Sequence, residues 1–166
     1  MRHSRFLAVV LSSVVILACG GESGASRLEE NKALVRQWLQ DVDASRGSLD
    51  FIDKWMTPDF QTRFNSPDAM DLAGYRQFMS TFLNAFSEMR HEIQYMVAEN
   101  DLVAGGITLR MMHTGAFEGI APSGRPISIE LIVVVRLRDG KIVEEWVVFD
   151  SAGLQQQLEA PAAAPQ

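Results

Sequence analysis

Asp150, at the end of a period-two segment, is the side chain whose placement most suggests chemistry, and two histidines stand in other such segments. Asp150 closes the run Lys141-Ile-Val-Glu-Glu-Trp-Val-Val-Phe-Asp, His113 closes a run ending Arg-Met-Met-His, and His91 stands early in an upstream run. A carboxylate placed on an apolar face is costly unless it is paired or useful. Desolvation raises a carboxyl pKa toward neutrality, which is what general acid/base catalysis needs. The same Asp150 directly precedes Ser-Ala-Gly-Leu-Gln-Gln-Gln-Leu, so it could equally serve as the N-cap of a closing helix. The histidines lack the spacing of a metal site, and there is no phosphate loop, dinucleotide glycine motif or nucleophile elbow. No metal and no cofactor is expected.

The elements that must position these groups change character at about residue 89. Before it, Leu28, Val35, Trp38, Leu39 and Val42 fall at helical spacing, with Ser26 and Glu29 placed as a capping box. A short helix fits Leu49–Met56, and Pro58 ends helical character. A longer helix follows Asp71, with Tyr75, Phe78, Met79, Phe82, Leu83 and Phe86 on one stripe. After residue 89 the period is two, and strands are predicted over 89–98, 102–114, 127–137 and 142–149, with a loop from Gly115 to Pro126. Asn100-Asp101 and Asp139-Gly140 read as two-residue hairpin turns. Helices first and antiparallel strands second predict an α+β fold, a curved sheet wrapped against N-terminal helices.

The Asp139-Gly140 turn predicts a register. Arg138 should face Lys141, Leu137 should face Ile142, Val133 should face Trp146 and Ile129 should face Asp150. Trp146 and Asp150 would then share the apolar face with Leu131, Val133 and Val135, while Glu145 would point away. A bulge in either strand would undo that register.

The first residues suggest processing. The basic Met-Arg-His-Ser-Arg is followed by an apolar run too short for a comfortable membrane span. Ile16-Leu-Ala-Cys-Gly20 resembles a bacterial lipobox, with Cys19, the sole cysteine, where lipidation requires it. The expected organisation is a signal peptide over 1–18, a flexible tether over 19–26, one domain over 27–158 and a frayed tail over 159–166. The expected location is the bacterial cell envelope, anchored to a membrane through lipidated Cys19, on the outer membrane in a Gram-negative cell. The net charge is −6, and removal of Arg2 and Arg5 with the signal leaves 13 basic against 21 acidic residues, or −8. That balance argues against nucleic acid as a partner.

The chain resembles the SnoaL-like polyketide cyclase, or ester cyclase, family, within the nuclear-transport-factor-2-like fold. The resemblance rests on ENKALVRQWL, TPDF, GYRQFMSTFLNAF, HTGAFEGIAPSGRPI and VVRLRDGKIVEEWVVFDSAGLQQQL, and covers nearly the whole mature domain. It implies a cone-shaped pocket between sheet and helices, walled by Trp146, Val133, Tyr75, Phe78 and Phe82. It also implies cofactor-free aldol chemistry with an aspartate as acid/base. Asp150, Trp146, His113 and Arg110 occupy positions matching residues common in such sequences. In that reading Asp150 shuttles the proton, and His113 or Arg110 stabilises the enolate oxygen. Two departures stand out: Thr62 and Arg63 follow Pro58-Asp-Phe where the family often carries Asp-His, and Glu145 replaces a common histidine. Three functions remain open: a cyclase- or isomerase-type catalyst, a module binding an apolar small molecule, and an interaction protein that forms a homodimer through its sheet.

Overall fold

The computed structural model describes residues 21–160. The stretch read as a signal peptide, Cys19 and residues 161–166 lie outside the described residues. The element order is α1 (Gly21–Ala44), α2 (Asp50–Trp55), β1 (Met56–Phe64), β2 (Met70–Asp71), α3 (Leu72–Ala85), β3 (Phe86–Glu99), β4 (Leu102–His113), β5 (Pro126–Arg138), β6 (Lys141–Phe149) and α4 (Ser151–Glu159). One six-stranded sheet, ordered β2-β1-β6-β5-β4-β3, packs against the helices. The fold is α+β as the sequence predicts.

The long helices bury the predicted stripes. Val35, Trp38, Leu39 and Val42 of α1 and Tyr75 and Met79 of α3 are buried. Helix α3 is capped by Asp71, whose carboxylate accepts from the Gly74 N–H at 2.8 Å. Helix α1 starts at Gly21, inside the stretch read as a tether, and Ser26 Oγ bonds Glu30 Oε1 at 3.1 Å instead of capping the backbone. A cap is worth about 1 kcal/mol, too little to set a helix start against continuing backbone hydrogen bonds.

Both predicted two-residue turns form. Glu99 pairs with Leu102 and Arg138 with Lys141. Asp139 and Gly140 both take positive φ, 51° and 75°, as a type I′ turn requires.

Two findings depart from the sequence reading. Residues 56–64, with Met56 read as the last residue of the short helix and the rest only as the end of helical character, form β1, whose Phe60 and Thr62 are buried on the inner face while Asp59 is exposed. Strand β1 runs parallel to β6, with Thr62 opposite Glu145, so the sheet is not wholly antiparallel. The second departure is the register of the last hairpin. Leu137 pairs with Ile142 as expected, but Arg136 pairs with Glu144, so Val143 is the extra residue of a β-bulge. Beyond it Val134, not Val133, faces Trp146, and Val133 faces Val147. Because side chains alternate, that one residue exchanges the faces. Glu145 and Val147 turn inward and are buried, while Trp146 turns outward and lies under the Arg63 guanidinium, 5.7 Å from the ring centroid. The expected place of Trp146 on the cavity wall is thereby corrected.

The outer face carries an apolar rung. Tyr95 pairs with Gly106, Gly106 with Ile132 and Ile132 with Val148, and Tyr95, Ile132 and Val148 are all exposed. The Tyr95 ring lies over Gly106, where a Cβ would come within 2.4 Å of it.

Candidate functional site: a buried carboxyl in an aromatic cavity

A cavity of about 670 Å³ lies between the concave face of the sheet and the helices. Its volume falls in the range of small-molecule sites, roughly 300–1,000 Å³. Trp38, Leu39 and Val42 of α1 form one wall, and Tyr75, Phe78, Met79 and Phe82 of α3 another. Leu109, Ile129, Leu131, Val133 and Val147 form the floor on the sheet, and Leu154 and Leu158 of α4 close over it. The aromatic wall is continuous: Phe64 meets Phe78 at 4.8 Å, Phe78 meets Phe82 at 5.7 Å and Phe82 meets Phe117 at 5.9 Å between ring centroids.

Helix α4 is held at both ends. The Asp150 carboxylate accepts from the Gly153 N–H at 2.9 Å, the N-cap bond. Gln157 accepts from the Ser128 N–H and donates to the Ser128 carbonyl, each at 3.0 Å.

Glu145 is the carboxylate that the strands deliver to the cavity. It is 3% exposed, and Thr62 Oγ1, on the neighbouring strand, donates to its Oε2 at 2.9 Å. Burial pushes its pKa up from 4.5 to about 7, and the Thr62 hydrogen bond only partly opposes that. Near neutral pH it can therefore either give or take a proton. The Tyr75 phenol is pushed well above its usual range, first by burial and then by the charge of Glu145. It remains a neutral O–H that can donate to an oxygen.

His91 is the other titratable side chain on the inner wall from the sheet. Asp43, near the end of α1, accepts from the His91 backbone N–H at 3.0 Å, and its other oxygen lies 2.5 Å from His91 Nδ1. Among the described residues no three His, Cys, Asp or Glu side chains are grouped as a metal ion would require.

The residues expected to be catalytic are not brought together. Asp150 is exposed and caps α4, outside the cavity lining. His113 is fully buried behind the loop that follows β4: the Ser123 N–H donates to its Nδ1 at 3.3 Å, and among the described residues its Nε2 has no hydrogen-bond partner. Arg110 projects from the outer face and pairs with Glu92 at 3.0 Å. Of the expected pocket residues, Val133, Tyr75, Phe78 and Phe82 do line the cavity. Sequence reasoning missed Glu145 and the Asp43–His91 pair. Glu145 and its partner Thr62 did stand out as departures from a family pattern, and those were the signals the sequence carried for the carboxyl.

The architecture is that of the nuclear-transport-factor-2-like fold, a helix-backed curved sheet enclosing an apolar cavity. The SnoaL-like polyketide cyclase family model matches residues 33–158, and the chain belongs to that family. Among solved structures, AclR of Streptomyces galilaeus, a candidate hydroxylase, is 31% identical, with a TM-score of 0.71 over 79% of this chain and 96% of that one. A candidate SnoaL-like polyketide cyclase from Jannaschia sp. CCS1 is 23% identical, with a TM-score of 0.73 over 81% and 94% of the two chains. An LEH-like epoxide hydrolase of M. tuberculosis shares the fold at 13% identity and a TM-score of 0.62, over 80% and 91%. A comparison with curated proteins found no match.

Proposed function

We propose that this domain binds an apolar small molecule in the cavity and moves a proton to or from it through Glu145. The observation that carries this reading is a 3%-exposed carboxyl with a pKa of about 7 on the wall of an aromatic-lined cavity. An acid or base is most effective when its pKa lies near the working pH. Thr62 fixes the carboxyl by its hydrogen bond, and Tyr75 supplies a neutral donor for an oxygen that gains charge as the proton leaves carbon. Cyclisation and isomerisation through an enol both begin with that step. The family supports this chemistry as a class, and the relatives' range of names shows that the fold serves several reactions.

The test works with an unidentified ligand. The purified domain is incubated with an envelope lipid extract in D2O, and retained molecules are identified by mass spectrometry. The expected result is a retained apolar molecule that gains deuterium with the wild type and not with Glu145→Gln. Retention without exchange in either protein would leave a binding module. No retention, or equal exchange by both proteins, would refute the role of Glu145.

The sequence Ile16–Gly20 supports a setting on the cell envelope, with the domain tethered through lipidated Cys19. In that case Cys19→Ser moves the protein out of the membrane fraction or leaves its signal uncleaved. A wild-type protein free of lipid would end that proposal. The exposed rung of Tyr95, Ile132 and Val148 favours a further reading, in which a second copy covers the outer face. Sedimentation of the wild type against Ile132→Lys reads this directly: a wild-type dimer that the variant breaks supports it, and a monomeric wild type refutes it.

A further inference from the structure

The Asp43–His91 pair does more than join α1 to the sheet. An ionised carboxylate only accepts hydrogen bonds, so the 2.5 Å contact places the imidazole proton on Nδ1. The second Asp43 oxygen is occupied by the His91 backbone N–H, which fixes the carboxylate relative to the ring. In the neutral imidazole, Nε2 is then an acceptor. The His91 side chain keeps 10% exposure and lines the cavity, and no protein group among the described residues bonds its Nε2. A pair that served only to hold the helix would not require an aromatic base open to an apolar cavity.

Position along the strands separates this group from Glu145. His91 is level with Leu109, and Leu109 with Ile129, whereas Glu145 is level with Val135. From Ile129 to Val135 is on the order of 20 Å of strand, at about 3.3 Å per residue. The two groups also stand on strands separated by β5 and β4. They therefore meet different parts of a ligand.

We infer that His91 Nε2 is a specificity-determining acceptor, selecting an apolar ligand that presents a hydroxyl at the part of the cavity remote from Glu145. This rests on the reading of the cavity as a small-molecule site. Asp43 is the positioning residue, since it holds the tautomer that exposes an acceptor. A ligand without the hydroxyl leaves a desolvated nitrogen unpaired, and that loss is what selects.

The probes are 1-pyrenemethanol and its methyl ether, two fluorescent molecules of which only the first carries an O–H donor, titrated near pH 8. The wild type should bind the alcohol about tenfold more tightly than the ether, as one satisfied buried hydrogen bond implies. In His91→Asn the amide reaches the place of Nδ1, and so can still donate to Asp43, but ends short of Nε2. The preference should fall to about onefold, with ether affinity held. In His91→Gln the amide reaches the place of Nε2, and part of the preference should return. Equal wild-type affinity for the two probes overturns this inference and leaves the cavity reading standing. Failure of the wild type to bind either probe overturns both. A preference that survives in His91→Asn, or is lost in Glu145→Gln instead, assigns the hydroxyl to another group and overturns the inference. Each variant's unfolding transition is measured alongside, and the wild-type preference stands as a test even where a variant does not fold.

Discussion

Replacing Glu145 by Gln should stabilise the protein above neutral pH and change it little in acid. The native state holds the Glu145 proton up to a pKa of about 7, against an ordinary value of 4.5, because the carboxyl is buried. Below 4.5 both folded and unfolded chains are protonated there, and the residue costs nothing as a charge. Between the two values the native state binds more protons than the unfolded state, so stability falls as pH rises. Above about 7 the loss is complete. At about 1.36 kcal/mol per pKa unit, the full cost of keeping this carboxylate is about 3 kcal/mol. Glutamine has the same shape, its carbonyl can still accept from Thr62 Oγ1, and it carries no charge at any of these pH values. The assay is urea unfolding of both proteins from about pH 4 to pH 8, with the m-value checked for constancy. The difference should be near zero at the acid end, grow through the interval and level off at about 3 kcal/mol, or on the order of 10 °C in Tm for a domain of this size. All other titrating groups are common to both proteins, so the difference isolates this one. Stability curves that run parallel from about pH 5 to pH 8 would refute the buried, protonated Glu145 and with it the poised acid/base.

Asp150 should behave as a cap. Asp150→Asn should cost little, Asp150→Ala should cost roughly 0.5–2 kcal/mol by chemical unfolding, and neither should abolish proton exchange in the bound ligand. Loss of exchange in Asp150→Asn at unchanged stability would restore it as the acid/base. Thr62→Val removes the hydrogen bond holding down the Glu145 pKa, so the midpoint of the Glu145-dependent stability loss should move to higher pH. The unpaired buried group should cost about 1–3 kcal/mol. An unmoved midpoint would show that Thr62 does not hold the carboxyl in solution.

The helices and the four long strands were legible because each has a single period. The stripe on α3 spells 3.6 and the β3–β4 and β5–β6 turns carry Asn-Asp and Asp-Gly, whose chemistry fixes where the chain reverses. Strand β6 was legible as a strand but not in its facing. Ile142, Val143, Trp146, Val147, Val148 and Phe149 put apolar residues on both parities, so alternation could not choose a side, and the Val143 bulge made the choice. By default a glutamate goes outside and a tryptophan inside. The structure inverts both, and the inversion is what places chemistry in the cavity. Strand β1 was hidden because Pro58 drew attention to helix termination, although Phe60, Thr62 and Phe64 alternate as a strand should. The Asp43–His91 contact spans 48 residues of sequence, and no local pattern announces such a pair.

The parallel seam between β1 and β6 also governs when the site can exist. Thr62 and Glu145 are 83 positions apart, so their hydrogen bond closes one of the longest loops in the chain. Contacts of such separation come late, because the entropy of loop closure is lost before the sheet rewards it. On a ribosome, β1 emerges early and cannot find its neighbour until nearly the whole chain has followed. A nascent or C-terminally shortened chain lacking β6 therefore holds β1 and β5 as two open edges with nothing between them, and edges of that kind recruit other chains. The seam that assembles the carboxyl site is thus also the interval during which this protein is most exposed to aggregation.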